Sequence, residues 1–316
     1  MKKIKIILRF LLGATFIASA IMKCLTLDEF EIYIHSFGLF NYTLCTFLAR
    51  LLISLEFLLG FFLMLKVKYR ITWWLSMLTM TGFTFFLLYV FLFRNDTNCH
   101  CFGSIIEVNP LDSIIKNIII ILLLLPVRNE NDYRFRFKKL VVGITITASV
   151  SVPFFVIPPD VLYNKVASIF NKEAANSEIN ETSFVELFQD STMQNIKLND
   201  NQIIAVYSAG CKFCKLGMKK VKSIFEKNCI PPENLTVIIL GSTEYILKFQ
   251  QETESQDFIF HSVTEVEVAK KMFKTIYGAF PTFIYVENGQ PVKAANLRSL
   301  YENDIVDFLL KENIKQ

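Results

Sequence analysis

Apolar residues are distributed very unevenly along the chain. Up to about residue 158 they form long runs of Leu, Ile and Phe, whereas from about residue 164 apolar and polar positions are mixed over short stretches. A helix needs about 20 apolar residues to cross a hydrocarbon core of about 30 Å. The runs therefore predict a membrane α-helical bundle of about five transmembrane helices, near 6–22, 44–65, 71–93, 111–127 and 140–157.

The remainder of the chain has the pattern of a soluble α/β domain. Short apolar strands precede helical stretches, and the Asn288-Gly289 dipeptide indicates a hairpin near the end. The predicted strands are 203–207, 235–240, 282–287 and 291–294, and the predicted helices are 212–227, 244–250, 266–274 and 297–311. This order implies a mixed sheet covered by helices. We therefore divide the chain into a membrane domain (1–160), a polar linker (161–180) and a soluble domain (181–316).

The distribution of Lys and Arg predicts how the spans are oriented in the membrane. Hydrophobic residues make up 53% of the 316 residues and charged residues 20%, and the net charge of +4 gives no support for nucleic-acid binding. Lys and Arg are concentrated before the first span, at 66–70 and at 128–139, and they are sparse in the other two loops. Because basic loops stay in the cytoplasm, we expect the loop near residue 100 and everything after residue 158 to lie outside.

The start of the chain allows two interpretations. Lys2 and Lys3, an apolar core and the small residues at 18–20 are also typical of a cleaved signal peptide. Arg9 interrupts that core and the run continues to Lys23, which favours a retained helix. Cleavage would leave the orientation of the later spans unchanged.

A close dithiol, Cys211-x-x-Cys214, follows the first predicted strand of the soluble part and opens a helix. A helix N-terminus favours the thiolate, so we expect Cys211 to attack a partner disulfide, with Lys212 adding favourable charge. Cys214, one turn along, would then resolve the mixed disulfide. Zinc binding is the alternative, but Cys229 and His261 offer no second close pair of ligands, so we predict no metal site.

This motif and Phe280-Pro281-Thr282, which enters a later strand, resemble the thioredoxin fold over roughly 181–316. The resemblance implies thiol–disulfide exchange and a cis proline at Pro281. Two residues depart from the family pattern. Gly210 stands where thioredoxins commonly have Trp, and Ala205 stands where many have a buried acid. Both departures leave proton handling and the direction of electron flow open.

A second dithiol, Cys99-His100-Cys101, lies in the loop between the third and fourth predicted spans. A disulfide between such near neighbours restricts the unfolded chain very little, so it would be a poor structural staple. A strained, readily reduced bond is the better interpretation, and His100 could stabilise a thiolate there. The alternative is a structural loop disulfide or two inactive thiols.

The cysteine loop belongs to a wider set of positions in the membrane half that resemble the DoxX/MauE family. The set comprises Arg9, Leu12-Gly13, Ser19, Lys23, Glu56, Leu59-Gly60, Cys99-x-Cys101-Phe102-Gly103 and Lys116-Asn117, of which the cysteine element is the most specific. The resemblance implies disulfide handling outside the cytoplasmic membrane, where MauE-type proteins act beside a separate thioredoxin-like protein. Here the two parts are fused in one chain.

Three further side chains of the membrane half are candidates. Cys24 and Cys45 end and begin neighbouring spans at one membrane surface, so they could relay electrons, or be small buried residues or a structural bridge. Glu56 lies near the middle of its span, where a charge needs a partner, and Arg9 on the first span could supply one. Glu56 would serve a proton relay or a pocket for a quinone head group, or else form a structural ion pair.

Two dithiols that face one compartment predict a multi-pass thiol–disulfide oxidoreductase of the bacterial cytoplasmic (inner) membrane. The expected partners are the lipid bilayer and extracytoplasmic client proteins with thiols or disulfides. No cofactor motif is evident, and a membrane quinone is the expected electron acceptor if the protein makes disulfides. The alternatives are delivery of reductant to extracytoplasmic disulfides, or a non-catalytic membrane assembly factor with structural dithiols.

Overall fold

The chain forms two compact units. The computed structural model describes residues 2–94, 109–128, 130, 132, 136–170, 178–190, 193, 196 and 201–310. The first unit comprises Met1–Ile34 and Thr46–Pro158, and the second comprises His35–Cys45 and Pro159–Gln316.

Long apolar helices make up the first unit. They are α1 (Lys2–Leu25), α2 (Leu27–His35), α3 (Tyr42–Leu65), α4 (Tyr69–Phe93), α5 (Pro110–Leu124) and α6 (Lys138–Ser151). Among the described residues, five segments are long and apolar enough to cross a membrane: Lys3–Leu25, Tyr42–Leu65, Tyr69–Phe93, Pro110–Val127 and Lys138–Val156. The predicted membrane bundle is therefore confirmed. The short helix α2 was not predicted.

Two glycines set the closest approach of α1 and α3. A Cβ atom on Gly13 would lie 2.7 Å from the carbonyl oxygen of Gly60, and one on Gly60 would lie 2.8 Å from that of Gly13. Small residues at such crossings let helix backbones pack closely in a membrane, where burial of apolar surface drives association only weakly. Larger side chains here would separate the two helices.

The second unit is a sheet with helices on both faces. Its strands are β1 (Asn201–Ser208), β2 (Leu235–Leu240), β3 (Ile259–Val263), β4 (Thr282–Glu287) and β5 (Gln290–Asn296). Its helices are α7 (Asp160–Phe170), α8 (Glu181–Phe188), α9 (Lys212–Lys227), α10 (Thr243–Thr253), α11 (Val266–Thr275) and α12 (Glu302–Leu310). In the described residues the strand order is β3-β2-β1-β4-β5, with β1, β2 and β3 parallel and β4 and β5 antiparallel to their neighbours. This mixed sheet is that of a thioredoxin-like domain, as predicted.

Alternation along β1 divides the core of this unit into two clusters. Ile203, Ala205 and Tyr207 face the cluster that also contains Cys214, whereas Ile204 and Val206 face the cluster on the other side of the sheet. All five strand residues are buried, as expected for a central strand that is covered on both faces.

The predicted elements of this unit did not include helix α8 or strand β3, and the last helix was predicted to begin too early. The edge strand β3 was missed, because its residues are mostly exposed or half-buried and carry little apolar pattern. The last helix begins at Glu302 and not at residue 297. The Asn296 side chain accepts hydrogen bonds from the backbone N–H groups of Arg298 and Ser299 (2.9 Å each), which holds these residues in a turn.

The segment predicted as a flexible linker begins with a helix. Residues Asp160–Phe170 form α7, and residues 171–177 lie outside the described part of the chain. The Asn164 amide donates to the carbonyl of Arg298 (2.8 Å) and contacts the hydroxyl of Tyr301 (2.7 Å), and the Arg298 guanidinium lies 4.4 Å from the ring centre of Tyr163. Because these contacts attach α7 to the second unit, the first half of the linker is not a free tether.

A buried carboxylate joins three separate segments of the second unit. Glu302 accepts hydrogen bonds from His35 Nε2 (3.2 Å), the Tyr42 amide (2.6 Å), Lys227 Nζ (2.8 Å) and Asn228 Nδ2 (3.1 Å). Burial by itself would raise the pKa of Glu302, but these hydrogen bonds outweigh it and hold the pKa well below its usual range. The cluster fixes residues 35–45 to the C-terminal end of α9.

We expect Glu302→Gln to lower the stability of this unit. The amide keeps the size of the side chain but leaves the half-buried Lys227 and the buried His35 beside a neutral group, at a cost of about 2–4 kcal/mol near pH 7. Thermal unfolding of the detergent-purified chain measures the change. Glu287→Gln is the matched control, because this carboxylate is exposed at the end of β4.

The stability that Glu302 contributes should depend on pH. Since the folded pKa of Glu302 is lowered, its stabilisation is complete above the ordinary glutamate value of about 4.3 and is lost as the pH falls below it. The difference in Tm between the native chain and Glu302→Gln should therefore shrink below about pH 4. A difference that stays constant down to pH 3 would contradict this account.

Candidate functional site

The predicted dithiol lies at the junction of β1 and α9. The Ala209 amide donates to the carbonyl of Leu240 at the end of β2 (2.9 Å), and the Cys211 amide donates to that of Ser208 (3.0 Å). These bonds turn the chain sharply out of the sheet. Cys211 is the N-cap residue of α9, with an extended backbone conformation and no side-chain cap hydrogen bond. Its thiol is therefore at the positive end of the helix dipole.

A close backbone approach shapes this turn. A Cβ atom on Gly241, directly after β2, would lie 2.8 Å from the Cβ of Ala209. Such a distance is too short for two carbon atoms, so the turn before Cys211 tolerates no side chain at position 241. The sequence motif alone does not reveal this requirement.

The two cysteines differ strongly in their surroundings. Cys211 is half-buried, whereas Cys214 is completely buried. The Ser208 amide donates to Cys214 Sγ (3.4 Å). Burial raises the pKa of the Cys214 thiol well above its ordinary value, the neighbouring Cys211 adds to the increase, and the Ser208 hydrogen bond only partly opposes it. A partner molecule can thus reach Cys211 but not Cys214, and the raised pKa favours the protonated thiol at Cys214.

The lysines beside the dithiol are not equivalent. Lys212 is exposed next to Cys211, where its charge can favour a thiolate. Lys215 forms an ion pair with Glu252 on α10 (2.5 Å), and this hydrogen bond lowers the pKa of Glu252. Lys212 is therefore the less neutralised of the two charges, and its effect on the Cys211 thiolate stays a prediction.

Pro281 lies against the dithiol helix. The Phe280–Pro281 peptide bond is cis, and Pro281 is buried at the start of β4. A Cβ atom on Gly217 would lie 3.0 Å from Cζ of Phe283 and 3.4 Å from Cγ of Pro281. Since Gly217 follows Cys214 by three residues on α9, the fold brings the two separated motifs together.

Other predicted site residues have different outcomes. Cys99, His100 and Cys101 lie outside the described residues. Cys24 is half-buried on α1, and Cys45 is buried in the first turn of α3, where its thiol donates to the carbonyl of Phe40 (3.8 Å). These two cysteines belong to different compact units, and their pairing stays a prediction.

The expected partner of Glu56 was wrong. Glu56 forms its ion pair with Lys23, whose ammonium also donates to Ser19 Oγ (3.1 Å). Arg9 instead lies 3.8 Å from Glu130. Arg9 precedes Lys23 by 14 residues on α1, about 21 Å along a helix, which places it too far from Glu56. Lys23, the basic residue in the last turn of α1, was the feature of the sequence that could have identified the partner of Glu56.

Two features of the site were not recognised from sequence. Tyr207 is a fully buried strand residue in the same core cluster as Cys214, and nothing in the apolar pattern distinguishes it from a packing residue. The Glu302 cluster joins residues that are more than 200 positions apart, so no local motif reveals it.

Among the described residues, no group of three or more His, Cys, Asp or Glu side chains could hold a metal ion.

Known proteins resemble this chain over its first 127 residues and over most of its length. Residues 1–127 match the family described as methylamine utilisation protein MauE, which confirms the resemblance of the membrane half. Protein TlpB of Flavobacterium psychrophilum is 24% identical over 296 aligned residues, which cover 79% of this chain and 80% of that protein. That similarity thus extends well beyond the MauE match. No solved structure matches significantly.

Proposed function

We propose that this protein is a membrane-bound thiol–disulfide oxidoreductase that supports disulfide formation in extracytoplasmic proteins. The observation that carries the proposal is the unequal pair at the start of α9. Cys211 is half-buried at the helix N-terminus, and Cys214 is buried behind it. The MauE match of residues 1–127 and the similarity to TlpB support a redox role at a membrane.

The exchange reaction follows from this arrangement. A client thiolate attacks Cys211 Sγ of the Cys211–Cys214 disulfide, the S–S bond breaks, and Cys214 takes up a proton as it leaves. The client is then joined to Cys211. A second client thiolate attacks the client sulfur of this bond, forms the client disulfide and releases Cys211 as a thiolate. Two electrons have then moved from the client to the dithiol.

Two observations support an extracytoplasmic position of the thioredoxin-like domain. The loops rich in Lys and Arg alternate with loops that are poor in them, which favours the outside for everything after residue 158. Residues 35–45, between the first two spans, belong to the same compact unit as the sheet. That loop is one of the two poor in basic residues, so the same rule favours the outside for the sheet as well. The membrane in this proposal is the bacterial cytoplasmic membrane.

The membrane half would return the dithiol to its oxidised form. We propose that a Cys99–Cys101 disulfide accepts the two electrons from Cys211 and Cys214, and that a membrane quinone is the final acceptor. Buried polar groups of the first unit support this proposal. Among the described residues, the Asn117 amide and Oε2 of Glu56 make no hydrogen bond, and Lys23 is a buried cation beside Glu56. When bound, the quinone would supply the oxidising equivalents.

Trapping tests the exchange step. In Cys214→Ser the Cys211 thiolate can still attack a client disulfide, but no Cys214 thiolate is present to break the resulting mixed disulfide, so client proteins should accumulate as adducts on Cys211; in Cys211→Ser they should be absent. Non-reducing gels and peptide mass spectrometry of acid-quenched cells give the measurement. Both variants should carry Cys229→Ser, because the exposed Cys229 could form adducts of its own. Equal or absent adducts in both variants would instead favour a scaffold with structural dithiols.

The relay makes a separate prediction. In a chain with Cys214→Ser and Cys101→Ser, a Cys99–Cys211 bond should accumulate, and exchanging Cys101→Ser for Cys99→Ser tests the other loop cysteine. Mass spectrometry after acid quenching identifies either bond. If client adducts form on Cys211 while neither bond appears, the membrane half takes no part in the electron path.

A further inference from the structure

Tyr207 carries a buried hydroxyl group that the packing of the domain does not explain. The residue lies in β1 directly before Ser208 and is completely buried. Among the described residues its hydroxyl has no hydrogen-bond partner. A buried hydroxyl without a partner costs about 1–3 kcal/mol, so a phenylalanine at this position would be the more stable choice.

Tyr207 lies in the core between the sheet and the helices that cover it. Its ring contacts Phe249 on α10 and packs edge-to-face on Phe283, with 5.7 and 5.8 Å between the ring centres. Phe283 in turn lies under Gly217, where a Cβ atom would be 3.0 Å from the ring. Tyr207 and Cys214 belong to the same core cluster, and the next residue, Ser208, donates its amide to Cys214 Sγ.

The hydroxyl stays in its protonated form, which can donate a hydrogen bond. Burial raises the pKa of Tyr207 well above its ordinary value, and the nearby Cys214 adds to the increase. The group therefore stays a neutral O–H and can stabilise an anion but cannot act as a base near neutral pH.

The chemistry of Cys214 requires such a donor. To resolve a mixed disulfide, Cys214 must become a thiolate inside the core, where burial opposes the charge. The Ser208 amide supplies one hydrogen bond. Ala205, on the same face of β1 as Tyr207, contributes no polar group.

We propose that the Tyr207 hydroxyl donates a hydrogen bond to the Cys214 thiolate as it forms, and so speeds the resolving step. This inference rests on the proposed function. In the step, the Cys214 thiolate attacks Cys211 Sγ, the Cys211–partner bond breaks and the Cys211–Cys214 bond forms. The partner leaves as a thiolate and takes up a proton, so the proton released by Cys214 is balanced.

The test is Tyr207→Phe in the full chain, with Tyr285→Phe as the matched control. Tyr285 lies in β4, is equally buried, belongs to the same core cluster and also has a hydroxyl without a partner in the described residues. The charged groups near it are Asp304 and Lys293, whose ammonium lies 5.4 Å from the ring centre, and not a cysteine. Both substitutions remove an unpaired buried oxygen, so both should leave Tm unchanged or slightly raised.

The two variants should differ in kinetics. Reduced, detergent-purified protein carrying Cys229→Ser is mixed with oxidised glutathione, and the decay of the Cys211–glutathione adduct is followed by acid quenching and mass spectrometry. In Tyr207→Phe the adduct should persist about tenfold longer or more, the loss expected for a hydrogen bond to a charged group, and the decay should shift to higher pH. Tyr285→Phe should decay at the native rate.

The outcomes separate this inference from the proposed function. Adducts that form on Cys211 and resolve at the native rate in Tyr207→Phe would overturn the role of the hydroxyl and leave the oxidoreductase proposal standing. A Cys211 that never forms an adduct would overturn the proposed function itself. Slow decay in both tyrosine variants, or a large fall in Tm of Tyr207→Phe alone, would make the residue a packing element and contradict the inference.

Discussion

The burial of the Cys214 thiol is the constraint on which the rest of the site depends. Because Cys214 is enclosed between β1 and α9, Cys211 alone is open to a partner, and the order of attack and resolution is fixed by the fold. The same burial opposes formation of the Cys214 thiolate. Strand β1 contributes the backbone amide of Ser208, which donates to Cys214 Sγ, and the hydroxyl of Tyr207, which has no partner among the described residues.

The helix that carries the dithiol is anchored at both ends. At its start, the turn 208–211 is fixed by hydrogen bonds to the end of β2 and within the turn itself. At its end, Lys227 and Asn228 donate to Glu302, which also binds the segment 35–45. A rigid helix keeps the geometry of two reacting sulfur atoms constant, which matters because small displacements slow such reactions strongly.

Patterns within short stretches of sequence predicted the membrane spans and the two motifs of the site. The apolar runs gave the five candidate spans, and the Cys211–Cys214 and Pro281 motifs marked two parts of the chain that the fold brings together around Gly217. The edge strand β3 was missed because it is short and its apolar residues do not alternate with polar ones. The partner of Glu56, the Glu302 cluster and the state of Tyr207 depend on contacts between distant residues, which no periodicity encodes.

One experiment tests most directly whether Cys211 and Cys214 cycle between dithiol and disulfide outside the cytoplasm. Spheroplasts that produce the Cys229→Ser chain are treated with a membrane-impermeant maleimide before a pulse of dithiothreitol, directly after it and after its removal, and labelling of Cys211 is measured by mass spectrometry. The account predicts little labelling before the pulse, strong labelling directly after it, and loss of labelling once the disulfide has formed again. Strong labelling before the pulse, or labelling only after lysis, would contradict it.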